Sequence, residues 1–186
     1  MENAITEKGK WKILKSDYLF RRPWLTVRRD CVELPGRRHI KKKYILEYPD
    51  WVNVIAITDD GQFVMERQYR HGLGKTCFEI PAGVIEKGET PLEAAKRELM
   101  EETGYGEGEW KEIMSVSGNS STTNNISHCF VAKGVKKIGT QHLDSTEDLE
   151  VVLLDRSQVW DLMVNDQVKQ ALMAAPLWRF FAENQK

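Results

Sequence analysis

The chain has 186 residues, of which 41% are hydrophobic and 30% are charged, and its formal net charge is −1 at pH 7. This length predicts one domain with a sizeable core. No apolar run approaches the roughly 20 residues that a membrane span needs, and the N-terminal MENAITEKGK lacks the apolar stretch of a signal peptide. We therefore expect a soluble protein with no membrane partner.

The cysteine content predicts where the protein works. The three cysteines are odd in number, lie far apart and show no zinc-binding spacing. This pattern is typical of reduced thiols and predicts a cytoplasmic location. The residues are Cys31, Cys77 and Cys129.

Charge is distributed unevenly along the chain. Residues 1–50 carry 13 Lys and Arg against 7 Asp and Glu, whereas the remainder carries 14 against 21. A basic segment can attract an anionic ligand or a nucleic acid. We interpret it instead as the outward-facing charges of strands, because residues 25–34 and 43–47 have strand composition around the turn signal Pro35-Gly36. Nucleic acid is therefore not the expected partner.

The middle of the chain predicts a buried strand and a hairpin. Residues 51–58 form a nearly continuous apolar run, as in a strand buried on both faces. Asp60-Gly61 then predicts a tight turn, and residues 63–69 return as a strand. Further strands are predicted at residues 110–116, 128–132 and 149–154.

Two short helices are predicted to close the chain. The first carries Val159, Leu162 and Met163 on one face after Ser157 as N-cap. The second has the apolar face Val168, Ala171, Leu172 and Ala175.

An acidic helix is the most informative element. Thr90 and Pro91 are helix-start residues, and Gly104 can end the helix after Thr103 because glycine readily takes a positive φ. Positions three and four apart share a helical face, so three carboxylates converge. Their mutual repulsion becomes favourable when a hard divalent cation such as Mg²⁺ binds. The three are Glu98, Glu101 and Glu102.

These residues resemble the Nudix box, in which a glycine, a first glutamate, an Arg-Glu pair, a Glu-Glu pair and a last glycine stand at fixed spacing. The matching residues are Gly83, Glu89, Arg97, Glu98, Leu99, Glu101, Glu102 and Gly104, and Tyr105 departs mildly because it is aromatic. The alternative is a solvated acidic helix face. The resemblance implies an α/β fold, a Nudix-type α/β/α sandwich with a mixed sheet, which the alternation of strands and helices also suits.

The preceding residues resemble the ADP-ribose pyrophosphatase branch of that family. Gln68-Tyr69-Arg70 and Glu79-Ile80-Pro81-Ala82-Gly83 match its strand end and its entry into the box. The likeness implies a hydrolase domain at residues 51–186. It also implies that residues 1–50 are an N-terminal antiparallel strand segment that makes a homodimer.

The resemblance implies roles for the box residues. Glu98 and Glu102, with Glu101 beside them and the backbone carbonyl of Ala82, would bind Mg²⁺, for which Mn²⁺ could substitute. The metal would neutralise the diphosphate and lower the pKa of an attacking water. Arg97 would orient the glutamates through paired hydrogen bonds. The alternative for Arg97 is a surface ion pair with Glu93 or Glu101.

Other roles lie outside the box. By resemblance, the general base comes from the acidic loop at residues 144–150, where Glu147 aligns best, with a register shift of two residues as an alternative. His128 or His142 could serve as the base instead, but neither matches a motif. Arg70 would contact a phosphate because its guanidinium suits phosphate oxygens, although an ion pair at the strand end is the alternative. The resemblance also implies that Glu79 and Glu86 contact the ribose or adenosine part.

The expected function is Mg²⁺-dependent hydrolysis of a nucleoside diphosphate-linked small molecule, with ADP-ribose, cleaved to AMP and ribose 5-phosphate, as the first candidate. Relatives commonly carry a proline about sixteen residues beyond the box, but this chain has the polar loop 118–125 there. GDP-mannose and other sugar nucleotides therefore stay as alternative substrates. A non-catalytic nucleotide-sensing module and an RNA-binding protein are the alternatives from other classes.

Overall fold

The computed structural model describes residues 9–36, 38–143 and 148–184, which group into two compact units. The first unit contains an antiparallel sheet in the order β1 (Lys12–Arg22), β2 (Leu25–Glu33) and β3 (His39–Glu47). The predicted turn between the second and third strands is confirmed, with Gly36 at φ +90°. The third strand begins four residues earlier than the predicted residue 43.

A distant loop belongs to this first unit. Residues Asn119–Asn125 group with the N-terminal sheet. The Leu46 amide donates to the carbonyl of Thr122 at 2.7 Å, and the Tyr48 amide donates to Asn124 Oδ1 at 3.0 Å. The polar loop that replaces the expected proline is thus attached to the end of β3.

The second unit is built on a mixed sheet. Its strands are β4 (Trp51–Thr58), β5 (Phe63–Arg70), β6 (Lys75–Glu79), β7 (Ala82–Val84), β8 (Tyr105–Gly106), β9 (Glu109–Val116), β10 (Ser127–Lys137) and β11 (Leu149–Leu154). The central order is β11-β5-β4-β10-β8, and β6, β7 and β9 pair with β5, β4 and β10. Strands β4 and β10 are parallel, whereas the other pairs in this sheet are antiparallel. The predicted strands are confirmed with small shifts of their ends, but β6, β7 and β8 were not predicted.

The side chains of β4 point alternately into two apolar layers. Val52, Val54 and Ala56 pack with helix α1 (Pro91–Thr103), whereas Ile55 packs with helices α2 (Arg156–Val164) and α3 (Ala171–Glu183). Successive side chains of a strand point to opposite faces, so one strand contributes to both layers. The sheet therefore lies between helices, which confirms the predicted α/β/α sandwich.

The start of α1 agrees with its sequence signals, whereas α2 and α3 begin at other residues than predicted. Helix α1 has the predicted bounds: Thr90 Oγ1 accepts from the Glu93 amide at 3.3 Å, and Gly104 has φ +71°. The N-cap of α2 is Asp155, not Ser157, because the chain is already helical from Arg156 and the Asp155 amide donates to Gln158 Oε1 at 2.8 Å. Helix α3 begins after Val168, which is buried in the loop before it.

Candidate active site

The Glu98 carboxylate lies against the backbone of β7. Glu98 is buried, 7% exposed, and a Cβ added at Gly83 would overlap its carboxyl group. Glycine permits close approach of a neighbouring group because it has no side chain. The first glycine of the box therefore makes room for a carboxylate of α1.

A second carboxylate of α1 is tied to the same strand. Glu102 Oε2 accepts a hydrogen bond from the Ala82 amide at 2.8 Å, and Glu102 is 5% exposed. The helix and the strand thus fix Glu98 and Glu102 next to Ala82 and Gly83. Ala82, Glu98 and Glu102 were predicted to lie together as ligands of a metal; the structure brings them together through packing and this hydrogen bond.

Arg97 joins the remaining acidic residues of the box. Its Nε and Nη2 donate to the two oxygens of Glu89 at 2.8 and 3.0 Å, and Nη1 donates to Glu98 Oε1 at 2.9 Å and to Glu101 Oε2 at 3.0 Å. Nη2 also donates to the Val84 carbonyl at 2.9 Å. One guanidinium therefore links the loop, the helix and β7.

The electrostatics of this cluster follow from the paired donors. The hydrogen bonds to Glu89 raise the pKa of Arg97 well above its ordinary value despite partial burial, and Glu98 and Glu101 add to the shift. The same bonds from Arg97 lower the pKa of Glu89. Arg97 stays cationic, which offsets the repulsion among the neighbouring carboxylates.

A second arginine pair lies at the ends of β5 and β6. Arg70 Nε donates to Glu79 Oε1 at 2.8 Å, Nη2 donates to the other oxygen, and Glu79 is 2% exposed. This bidentate contact raises the pKa of Arg70; partial burial opposes the shift, and the charges of Glu79, Glu102 and Glu66 add to it. The sequence alternative of an ion pair at the strand end is thus present, and it joins two predicted site residues.

Glu66 was not singled out from the sequence. It lies opposite Glu79 in the β5–β6 register and is 3% exposed. An acid inside the apolar segment FVME is the signal that could have indicated it, because charged side chains are rarely buried without a function or a partner. Arg70 therefore pairs with one buried carboxylate, Glu79, and the charges of two more, Glu66 and Glu102, raise its pKa.

A cavity of about 210 Å³ adjoins these residues. Arg70, Ala82, Gly83, Asn53 and Gln170 are among the residues that line it. The cavity therefore shares β7 with Glu98 and Glu102. Trp51 also lines it, and its aromatic ring could stack on a nucleoside base.

Glu86, His128 and His142 make other contacts than the residues described above. Glu86 is exposed in the loop after β7, where its amide donates to Glu89 Oε2 at 3.0 Å. His128 Nδ1 lies 2.8 Å from Glu112 Oε1. The His142 amide donates to the Glu101 carbonyl at 2.8 Å, so residues just before the acidic loop contact α1. Glu147, the predicted base, lies outside the described residues.

The donor set suits a hard divalent ion. Carboxylate oxygens are the ligands that Mg²⁺ prefers, and Gly83 lets the Glu98 carboxylate lie in the place that a Cβ would occupy. Within residues 9–36, 38–143 and 148–184, no three His, Cys, Asp or Glu side chains are arranged to hold an ion. Arg97 engages Glu98 and Glu101, while Glu102 accepts from Ala82. No helix in the same ranges is long and apolar enough to cross a membrane.

Comparison with known proteins agrees with this geometry. The NUDIX domain matches residues 47–174, and the nucleoside diphosphate sugar hydrolase N-terminal domain matches residues 11–41. The chain therefore belongs to the Nudix family, and it is a Nudix hydrolase. The family predicted from the box is confirmed.

Individual relatives support the same assignment. The chain is 39% identical over 144 residues to the methanol dehydrogenase activator of Bacillus methanolicus, covering 77% of each chain. It is 32% identical over 164 residues to the ADP-ribose pyrophosphatase of Bacillus subtilis (strain 168), covering 88% of each. The crystal structure of an ADP compounds hydrolase matches with a TM-score of 0.81 at 24% identity, covering 95% of this chain and 96% of that one, which shows the fold. The predicted likeness to ADP-ribose pyrophosphatases is confirmed.

Proposed function

We propose that this Nudix hydrolase is a Mg²⁺-dependent pyrophosphohydrolase that cleaves the diphosphate of a nucleoside diphosphate derivative, with ADP-ribose as the first candidate. One observation carries the proposal: Glu98 and Glu102 are fixed against Ala82 and Gly83, which line the same cavity as Arg70. Carboxylates of α1 that could bind a cation are thus held against β7, and a guanidinium at the end of β5 that could bind phosphate lines the same cavity as β7. The name of the Bacillus subtilis relative supports the choice of ADP-ribose.

In this proposal the glutamates bind the metal ion, and Arg97 positions them. Glu98 and Glu102, with Glu101 and the Ala82 carbonyl, would hold Mg²⁺ or Mn²⁺. When bound, the ion would offset charge on the diphosphate and make a water more acidic. Arg97 positions Glu98 and Glu101 through its hydrogen bonds.

Arg70 is the proposed phosphate contact. Glu79 occupies Nε and Nη2, so Nη1 lies outside that pair. A guanidinium fixed by one carboxylate loses little further freedom when it binds an anion. Glu79 therefore orients Arg70 in this proposal, and a direct ribose contact of Glu79 would require Arg70 to release it.

The general base and the nucleoside contact keep their sequence-based assignments. Glu147 is proposed to take the proton from the attacking water, and Glu86 to bind the ribose or adenosine part from its exposed loop. Cleavage of ADP-ribose would release AMP and ribose 5-phosphate. GDP-mannose or another sugar nucleotide is the alternative substrate.

A substrate panel tests the proposal. Purified protein is incubated with Mg²⁺, or with Mn²⁺, and ADP-ribose, GDP-mannose, dinucleotides or nucleoside triphosphates, and phosphatase-sensitive product is measured. We expect cleavage of a diphosphate-linked member and little cleavage of triphosphates. Absence of product from every member with both metals would instead favour a nucleotide-sensing module.

A substitution of Glu102 tests whether the activity depends on the box carboxylates. Glu102→Gln keeps an oxygen that can accept from the Ala82 amide but removes the charge. Turnover should fall by more than about a hundredfold, because loss of a partner of a metal ligand alone costs roughly 10- to 100-fold. The control Glu109→Gln changes an exposed carboxylate of β9 and should leave turnover unchanged. Full activity of Glu102→Gln would exclude the proposed ligand role.

We also propose that residues 1–50 make a homodimer and that the protein works in the cytoplasm. The N-terminal sheet exposes large apolar side chains, including Trp24 at 75% and Phe20 at 56%. Exposed apolar patches mark interaction surfaces. The three cysteines are free thiols, as expected in a reducing compartment.

A further inference from the structure

We propose that Asn53 and Gln170 bind hydroxyl groups of the sugar that the diphosphate joins to the nucleoside, and so select substrates that carry a sugar there. The inference rests on the proposed function and deepens it. It concerns the 210 Å³ cavity, which residues of β4 and β7 and of the start of α3 line together with Arg70.

The orientation of the Asn53 amide is fixed by a proline. Pro176 lies inside α3 and has no N–H to donate to the Leu172 carbonyl, its normal helical partner. Asn53 Nδ2 donates to that carbonyl at 2.9 Å and to Ser127 Oγ at 3.1 Å. Because a carbonyl can only accept, the nitrogen of the amide must face Leu172. The remaining oxygen is therefore an acceptor.

Two acceptors in this cavity lack a donor. Asn53 is 1% exposed, and among the described residues neither Asn53 Oδ1 nor Gln170 Oε1 has a hydrogen-bond partner. Both residues line the cavity. Buried polar atoms are nearly always paired, and leaving one unpaired lowers stability. Two unpaired oxygens beside one cavity indicate a ligand that brings donors.

The polarity of the cavity identifies the ligand group. A diphosphate offers acceptors only, so it suits the Arg70 guanidinium and is repelled by amide oxygens. Sugar hydroxyls donate, and they suit Asn53 and Gln170. The cavity of about 210 Å³ gives room for a sugar ring.

The test compares substrates with and without the sugar. kcat and KM are measured for ADP-ribose and for adenosine diphosphate ethyl ester, in which an ethyl group replaces the distal ribose. Gln170→Met removes the acceptor but keeps the side-chain length, and the Gln170 backbone carbonyl still accepts from Met173 and Ala174. The variant should lose about three- to tenfold in kcat/KM for ADP-ribose, the worth of one hydrogen bond. The loss should appear in KM, with the ethyl ester unchanged.

Two further variants isolate the acceptor. Gln170→Glu keeps acceptor oxygens, and its charge acts on both diphosphate substrates alike, so the preference for ADP-ribose over the ester should persist. Gln167→Met makes the same change at an exposed glutamine before α3 and should alter neither substrate. Circular dichroism and a thermal melt establish that each variant is folded.

The possible results separate the inference from the proposed function. If every protein cleaves both substrates and Gln170→Met keeps the wild-type preference, the inference is wrong and the hydrolase proposal stands. If Gln170→Met instead reduces discrimination against 2′-deoxyadenosine diphosphate ribose, the cavity binds the nucleoside ribose, which also overturns the assignment. Failure of the wild-type protein to cleave any diphosphate substrate would remove the proposed function, and the inference with it.

Discussion

Gly83 and Glu98 approach each other so closely that only a hydrogen atom fits where a side chain of residue 83 would stand. Gly83 is one of the glycines of the box, and the simplest use of such a glycine is a turn. Gly88 has φ +98°, the left-handed conformation that a turn uses, but Gly83 is a strand residue of β7. Close packing against a buried carboxylate therefore explains the first box glycine.

Gly83→Ala should displace the Glu98 carboxylate while leaving most of the fold. Its methyl group would overlap the carboxyl atoms, which lie at the far end of a flexible side chain and can move. A misplacement of about 1 Å in a catalytic site costs about a hundredfold in rate, and we expect a loss of that size in turnover of the best panel substrate. Gly72→Ala, where a Cβ meets nothing within 4 Å, is the control. Equal rates for the two variants would show that the Gly83–Glu98 contact does not matter for turnover.

Arg97→Lys should weaken the response to Mg²⁺. Lysine retains the charge but cannot make the paired bonds to Glu89 together with those to Glu98, Glu101 and Val84. Loss of such positioning contacts typically costs roughly 10- to 100-fold in metal affinity or activity. Turnover measured over a range of Mg²⁺ concentrations should therefore show half-saturation at a higher concentration.

The same change elsewhere provides the comparison for Arg97. Arg179→Lys replaces an exposed arginine that donates to Glu183 at 2.8 Å on α3. Its Mg²⁺ dependence should match the wild type, because exposed pairs of this kind contribute little. A Mg²⁺ curve of Arg97→Lys that coincides with that of Arg179→Lys would contradict the positioning role.

Glu89 should contribute to stability only where it is ionised. Its pKa in the folded chain is lowered from 4.5, chiefly by the hydrogen bonds from Arg97. A carboxyl group with a lowered folded pKa stabilises the fold above its unfolded pKa, and that contribution disappears as the pH falls through the folded pKa. The stability difference between wild type and Glu89→Gln should therefore be full at pH 7 and shrink below about pH 4.3, the ordinary glutamate pKa.

Urea unfolding from pH 7 down to pH 3 measures this difference. Glu109→Gln neutralises an exposed carboxylate of β9 and serves as the comparison. A difference between wild type and Glu89→Gln that does not change with pH would mean that the Arg97 hydrogen bonds do not depend on the charge of Glu89.

Local signals explain why α1 was predicted to the residue. Its start depends on Thr90 and Pro91 and its end on Gly104, all read from adjacent positions. Strands β6 and β7 are held by pairing with β5 and β4, and no local pattern marks them. The loop Asn119–Asn125 was predicted only as a polar segment, because its bonds to Leu46 and Tyr48 join residues more than seventy positions apart.

The sequence indicated most of the residues of the site, but not which of them contact one another. The box spacing indicated Glu98, Glu102 and Arg97, and the branch motif indicated Arg70 and Glu79. That Arg70 and Glu79 pair with each other depends on the register of β5 with β6, which no motif contains. Asn53 was hidden inside the apolar run of β4, and its meaning appears only through Leu172 on α3.

The N-terminal sheet is the surface at which we expect two copies of the chain to associate. Strand β1 is exposed along nearly its whole length, and Phe20 near its end is 56% exposed. Burial of apolar surface is worth about 25 cal/mol per Å², so a second copy that covers this sheet would gain stability. Phe20→Lys would place a charge in that interface and oppose association.

Sedimentation velocity measures the association directly. The wild-type protein should sediment as a dimer, and Phe20→Lys should sediment as a monomer at the same concentration. Val164→Lys, at an exposed apolar position at the end of α2, should remain dimeric. A monomeric wild-type protein would rule out the homodimer, and a dimeric Phe20→Lys protein would exclude this part of β1 from the interface. Phe20→Lys changes none of the proposed site residues, because Glu98, Glu102 and Arg70 all lie in the second unit.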